Sequence, residues 1–235
     1  MPVDTAVVLL YQIKDMQTKK TIAVIGATGN MGKAISKALS KGNDRLLLFS
    51  RNEEQLHILG NEIRQEYPAA DFETIQCAFE ASWQADIIIL AVPYEAEAEI
   101  AEKIKQVAGQ KIVISISNPL NTTYDGLLTA ADTSAAEELQ KLLPDSKVIK
   151  AFNTTYAADF LQPVIDGKQV DAFVAGNHEA ALEAVAELVG TAGFNPVIAG
   201  NLSVSRTLEN MQLLMIQLTI RNQYNWQAGW KILHN

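Results

Sequence analysis

Three glycines stand at fixed spacing in Gly26-Ala27-Thr28-Gly29-Asn30-Met31-Gly32. The apolar run Thr21-Ile22-Ala23-Val24-Ile25 precedes them, and the helix-forming Lys33-Ala34-Ile35-Ser36-Lys37-Ala38-Leu39 follows. This arrangement suits a diphosphate. Gly26 permits a tight turn, Gly29 lets backbone N–H groups approach a pyrophosphate, and Gly32 lets helix and strand pack closely. The loop is one residue longer than G-x-G-x-x-G, but the following helix still turns its N-terminus toward the anion. Glycines also make ordinary turns. The order strand, loop, helix is what points to a nucleotide.

The next apolar run, Arg45–Phe49, ends in Ser50-Arg51. An Asp or Glu in this place commonly accepts hydrogen bonds from the adenosine ribose hydroxyls of NAD. It would also repel a phosphate on the 2′ oxygen, whereas a guanidinium fork and a hydroxyl match phosphate oxygens. Ser50 and Arg51 therefore predict NADP(H) rather than NAD(H).

Groups for proton or nucleophile chemistry are sparse. His57, His178 and His234 fall outside the loops that would line a cleft, no His/Cys/Asp cluster has metal-ligand spacing, and no G-x-S-x-G elbow occurs. Cys77, the single cysteine, reads as a small buried hydrophobe and excludes an intrachain disulfide. Lys150 reads as structural or cofactor-facing. Carbonyl reduction needs a positioned acid, but a flavin or deazaflavin ring takes a hydride into a delocalised system and needs only alignment. No catalytic side chain is therefore expected beyond hydride alignment, and no metal. Tyr94, Tyr124 and Tyr156, near expected strand ends, keep a carbonyl or imine substrate as an alternative. A non-catalytic NADP(H)-binding sensor or partner module is another.

The elements that would hold these residues alternate. Strands are expected at Thr21–Ile25, Arg45–Phe49, Thr74–Cys77, Asp86–Ala91, Lys111–Ser115, Lys147–Ala151, Ala172–Ala175 and Asn195–Ile198. Helices are expected at Met31–Lys41, Glu53–Gln65, Ala96–Val107, Ser134–Leu143, Glu179–Gly190 and Ser205–Arg221. Mostly apolar strands without clean alternation are covered on both faces, so the fold class is α/β: a doubly wound, mostly parallel Rossmann sheet extended by two or so strands. Asn177 is an expected N-cap and Gly190 an expected helix stop; Ser203 and Ser205 are expected to cap the last helix, and Arg206 and Glu209 to pair along it. Trp226 and Trp230 are expected as apolar anchors.

Composition sets the remaining bounds. With 48% hydrophobic and 20% charged residues the chain is globular, and a net charge of −8 without a basic, aromatic-interleaved cluster excludes a nucleic-acid surface. Ala6–Leu10 and Met211–Ile220 are too short to span a membrane, so a cytoplasmic protein without a membrane partner is expected. Residues 1–18 are expected to form a loose N-terminal extension, and residues 19–235 a single domain. The chain beyond Ile198 suits a C-terminal helix and tail but no large second domain, which leaves the substrate at the sheet's carboxyl edge. The apolar last helix is read as a homodimer face or as packing within the monomer.

Taken with Ser50-Arg51, GATGNMG and Ala91-Val92-Pro93, three later stretches make the resemblance specific: Ile116-Ser117-Asn118-Pro119-Leu120, Pro144 to Asn153, and Leu202 to Glu209. From about Thr21 to about Leu233 the chain resembles the NADPH:coenzyme F420 oxidoreductase family, whose nucleotide unit is shared by STEAP-type metalloreductases. The resemblance implies that Thr28, Gly29, Asn30 and Met31 hold the pyrophosphate and that Ser50 and Arg51 take the 2′-phosphate. It also implies that Ala91, Val92 and Pro93 border the nicotinamide, and that Asn118, Pro119, Asn153 and Thr154 line the acceptor cleft. The co-substrate it implies is coenzyme F420 or a flavin. The chain departs from the family at Gln55, where members often carry a basic residue, and has Asn153 where deazaflavin-using members can have histidine.

Overall fold

The computed structural model describes residues 19–234. The expectation of a loose extension over residues 1–18 lies outside them. Six strands, β1 (Thr21–Ile25), β2 (Arg45–Phe49), β3 (Phe72–Ile75), β4 (Ile87–Leu90), β5 (Ile112–Ser115) and β6 (Lys147–Lys150), lie side by side and parallel. The sheet runs β10-β9-β6-β5-β4-β1-β2-β3, with β9 at Asp171–Gly176 and β10 at Asn195–Gly200. The α-helices among the described residues are α1 (Asn30–Leu39), α2 (Glu53–Glu66), α3 (Ala78–Gln84), α4 (Tyr94–Ala108), α5 (Ala135–Leu142), α6 (Glu179–Thr191) and α7 (Ser205–Asn222).

The apolar Ile22 to Ile25 of β1 and the all-apolar β4 are the reason the sheet is buried on both faces. Ile22 and Val24 feed the core on one side, and Ala23 and Ile25 the core on the other. From β1 the chain winds out through β2 to β3, then returns to place β4 on the far side of β1. The carboxyl ends of β1 and β4 thus diverge, and a crevice opens between the loops that leave them.

The sheet's far edge reverses. β9 runs antiparallel to β6, with Ile149 opposite Gly176, and β10 is parallel to β9. Between β6 and β9 the chain uses a 3-10 turn (Ala157–Phe160) and a hairpin, β7 (Val164–Ile165) and β8 (Lys168–Gln169), instead of a helical crossover. Without that crossover, the chain enters β9 from the opposite end. No helix of the described residues is long and apolar enough to cross a membrane.

Several local expectations are corrected. β3 lies two residues earlier than its apolar tail suggested, because Phe72 pairs with Leu46 and packs beneath the Arg64 guanidinium at 5.2 Å. Cys77 is exposed rather than buried, since it opens the unexpected α3 and receives Ala81 N–H on its carbonyl. Asn177 does not cap α6: its Oδ1 accepts from Leu202 N–H at 3.0 Å, tying the β9 exit to the turn before α7, and His178 takes the cap position. Gly190 does not end α6, which continues to Thr191; Gly193, at φ +100°, makes the turn beyond. Neither Ser203 nor Ser205 caps α7, because the 3-10 turn Leu202–Val204 runs straight into it and supplies the preceding turn.

The Arg206–Glu209 pair is also absent. Arg206 instead makes a forked ion pair with Glu137 of α5, at 2.8 and 2.6 Å, while Glu209 turns inward. Trp226 sits edge-on to Tyr156 at 5.7 Å yet stays half exposed, and Trp230 packs against the clusters beneath α7.

Candidate functional site

A cavity of about 690 Å³ fills the crevice at the carboxyl ends of β1, β2 and β4. Its floor is the loop after β1. Gly26 adopts φ +92°, and a Cβ there would run into the carbonyl of Ala91; a Cβ on Gly32 would run into the carbonyl of Gly26. Both glycines are therefore demanded by the protein's own packing. Gly29 is different: a Cβ there would meet only ordinary contacts at 3.5 Å and beyond, so its bareness serves whatever approaches the loop.

The loop is pinned from two sides. Phe49 O accepts from both Gly26 N–H and Ala27 N–H at 2.9 Å, and Ile25 O accepts from Ala91 N–H at 2.8 Å. The first intrahelical bond of α1 runs from Lys33 N–H to Gly29 O at 2.8 Å. The N–H groups of Asn30, Met31 and Gly32 are left at the open helix end, where the macrodipole favours an anion. Asn30 and Met31 do not line the cavity with their side chains. What they can offer is this backbone.

After β2, Ser50 Oγ accepts from Asn52 N–H at 3.2 Å and shares a hydrogen with Thr28 Oγ1 at 2.6 Å, joining the first two loops. Asn52 caps α2 by accepting Gln55 N–H at 3.0 Å. Arg51 is exposed, lines the cavity, and makes no hydrogen bond or ion pair among the described residues. Glu99, on the α4 wall, is held below the usual carboxylate range by its hydrogen bond to Lys103, with a smaller pull from Arg51. A guanidinium without a hydrogen bond among the described residues stands beside two hydroxyls, donors of the kind that match phosphate oxygens, with Glu53 and Glu99 also on the lining. Ala91, Val92 and Pro93 close the other end of the cavity with apolar surface and backbone.

The remaining sequence-expected residues lie beyond this wall. Asn118 Nδ2 donates to Asn153 O at 2.8 Å, and Asn153 Nδ2 donates to Asn118 Oδ1 at 2.9 Å, so a reciprocal pair clamps the loops after β5 and β6. Asn118, Pro119, Asn153 and Thr154 are thus brought together, but they do not line the large cavity. Thr154 Oγ1 and Asn153 Oδ1 are buried without a hydrogen-bond partner among the described residues. The tyrosines that would favour a carbonyl substrate are elsewhere. Tyr94 donates to Glu138 at 2.6 Å and burial pushes its phenol up, Tyr156 bonds Thr219 at 2.9 Å, and Tyr124 is exposed on a loop.

Sequence reasoning passed over a buried polar network behind Val92. Glu97, Ser115, Ser117, Lys150 and Glu209 meet there. The signal was present: Glu97 falls on the apolar stripe of α4 with Ile100, Ala101 and Ile104, a placement an acid rarely takes without partners.

A glycine-rich strand-to-helix loop at the switch point of a doubly wound sheet, with an exposed arginine beside a serine after the second strand, is the architecture of the Rossmann dinucleotide-binding class. Residues 21–119 match the family model described as NADP oxidoreductase, coenzyme F420-dependent. The F420-dependent NADP reductase of Methanocaldococcus jannaschii is 31% identical over 208 residues, covering 85% of this chain and 92% of that one. The chain belongs to the F420-dependent NADP reductase family. Human metalloreductase STEAP2 is 28% identical across 88% of this chain but only 38% of its own length, so the likeness is to one part of that protein. A crystal structure from Arthrobacter sp. FB24, described as an F420-dependent NADP-reductase candidate, superposes with a TM-score of 0.76 at 22% identity. It covers 91% of this chain and 99% of its own, and shows the same fold.

Proposed function

We propose that this protein is an NADP-dependent oxidoreductase that moves a hydride between NADPH and coenzyme F420. The observation that carries the cofactor choice is the unengaged Arg51 beside Ser50, in the place where an acid would select NAD. The acceptor follows from family membership and from the wall at the other end: Ala91, Val92 and Pro93 carry no acid to protonate a developing alkoxide. A deazaflavin ring does not require one.

The chain's own residues bind, orient and exclude water. Backbone N–H groups of Asn30 to Gly32 would hold the pyrophosphate, Ser50 and Arg51 would take the 2′-phosphate, and Thr28, bonded to Ser50, would fix it for that task. Ala91, Val92 and Pro93 would form the face for the nicotinamide, and the Asn118–Asn153 clamp, which joins the loops after β5 and β6, would border the acceptor. Bound NADPH supplies the hydride and the deazaflavin the ring that receives it. The protein contributes alignment, for which no side chain needs to break a bond.

The test is loss of reduced-nicotinamide absorbance when the purified protein meets NADPH with coenzyme F420, FMN, FAD or small imines and ketones in turn. Turnover with coenzyme F420 is expected. Turnover only with imines or ketones would replace the acceptor, and tight NADPH binding without turnover on any member would make the protein a binding module.

A further inference from the structure

Glu97 belongs to α4, whose Ala96, Glu99 and Ile100 line the large cavity, but its own side chain points into the protein and is 3% exposed. Its Oε1 accepts from Ser117 Oγ at 2.7 Å and from Ser115 Oγ at 3.2 Å. Ser117 Oγ lies 3.3 Å from the carbonyl oxygen of Val92, which is part of the cavity wall. Lys150 Nζ donates to Ser117 O and to Glu209 Oε1, the latter at 2.6 Å, and Glu209 Oε2 accepts Ala135 N–H at 3.2 Å. One buried ammonium therefore faces two buried carboxyl groups. With a proton on Glu97 the three groups sum to zero; without it they carry one net negative charge, immediately behind the wall.

The other side of Glu97 borders a second cavity of about 240 Å³ between α4 and α5, shared with Tyr94 and Glu138 and bounded by the exposed Glu95 and Ala98. A proton on Glu97 thus has a way out that does not cross the cofactor site.

We propose that Glu97 is a positioning residue whose proton is coupled, through Ser117 and Val92, to the redox state of the bound nicotinamide. The inference rests on the NADP(H) reading above. Losing a hydride leaves the ring one unit more positive, and a carboxylate held at low dielectric behind Val92 stabilises that charge. The accompanying change is a single O–H dissociation at Glu97: the electron pair stays on the carboxylate, and the proton leaves through the Tyr94–Glu138 cavity to solvent. The hydride itself passes to the acceptor.

Burial pushes the Glu97 carboxyl up to about 7, against the opposing pull of Lys150 and the two serines, so a modest added charge moves its proton at neutral pH. The charged and titratable groups that face it are Lys150 from β6, Glu209 from α7, Glu138 from α5, and Tyr94 on its own helix.

Calorimetric titration of the full chain with NADP+ and with NADPH, near neutral pH in buffers of differing ionisation enthalpy, counts the protons exchanged with each. NADP+ is expected to release up to about half a proton more than NADPH, since the group is near half protonation at its midpoint. Glu97→Gln should abolish the difference. Ser117→Ala removes one donor to the carboxylate and should move the pH of half-maximal release upward. Equal proton counts for the two cofactors in the unsubstituted protein, a difference that survives in Glu97→Gln, or an unmoved midpoint in Ser117→Ala would each overturn the coupling while leaving the proposed function intact. No binding of either dinucleotide would overturn both.

Discussion

At the scale of single residues, Arg51 and Gly29 make contrasting predictions because neither is needed by the fold. Arg51 is exposed and unpaired, so Arg51→Ala should leave the melting temperature unchanged. It should weaken NADPH binding by about 1.5–3 kcal/mol, roughly 10- to 150-fold, with little change for NADH. Calorimetry with both cofactors checks it; equal losses would remove Arg51 as the selector. Gly29→Ala should fold normally and lose dinucleotide affinity, because its Cβ meets nothing closer than 3.5 Å in the protein but occupies the approach to the loop. Gly32→Ala should instead lower stability, since its Cβ collides with the Gly26 carbonyl. The three glycines look alike in the sequence. Only their surroundings separate the two that shape the loop from the one that leaves room.

At the scale of elements, α7 is joined to the nucleotide unit by two ion pairs of different character. The Arg206–Glu137 fork lies at the surface, with Arg206 40% exposed, so Arg206→Met should shift the denaturant midpoint only slightly. Lys150–Glu209 is wholly buried, and breaking it with Glu209→Leu removes the carboxylate that directly bonds the ammonium and leaves Glu97 as its remaining carboxyl neighbour, at a cost of up to about 3–5 kcal/mol. Lys150→Met combined with Glu209→Leu should recover most of that loss. Denaturant melts of the single and double variants decide the point. The elements themselves were largely legible, because apolar β-branched runs between glycine, proline and polar breaks carry their own period. The short α3, the β7–β8 hairpin and the reversal of β9 were not: each is decided by what neighbouring chain pairs with it. The Arg206 and Glu209 partners were misassigned for the same reason, as a spacing of three on a helix permits an ion pair that stronger tertiary partners replace.

At the scale of the whole molecule, two buried carboxyls set an unusual pH response. Burial raises Glu97 to about 7 and Asp159, whose Oδ1 has no partner, to about 6, against ordinary values of 4.5 and 3.8. A raised acid favours the folded state when protonated. This contribution is complete below about pH 4 and is lost as pH rises through about 6 to 7. Carboxylates such as Glu137, which the Arg206 hydrogen bonds hold low, act oppositely, but only below their ordinary value of 4.5. The melting temperature should therefore fall between pH 5 and pH 8, and Glu97→Gln should flatten the upper part of that fall. A flat wild-type profile over that range would contradict the buried ionisation described here.

The sequence by itself determined the glycine-rich loop after β1, the Ser50-Arg51 pair after β2 and the alternation of strand and helix, because each depends on residues adjacent in the chain or on a short period. The tertiary structure alone decided which glycines the loop's own packing requires, that β9 and β10 reverse, and that Glu97, Ser117, Lys150 and Glu209 converge behind Val92. Those groups come from four separate segments. No local pattern encodes their meeting, since burial and charge compensation are properties of the packed chain.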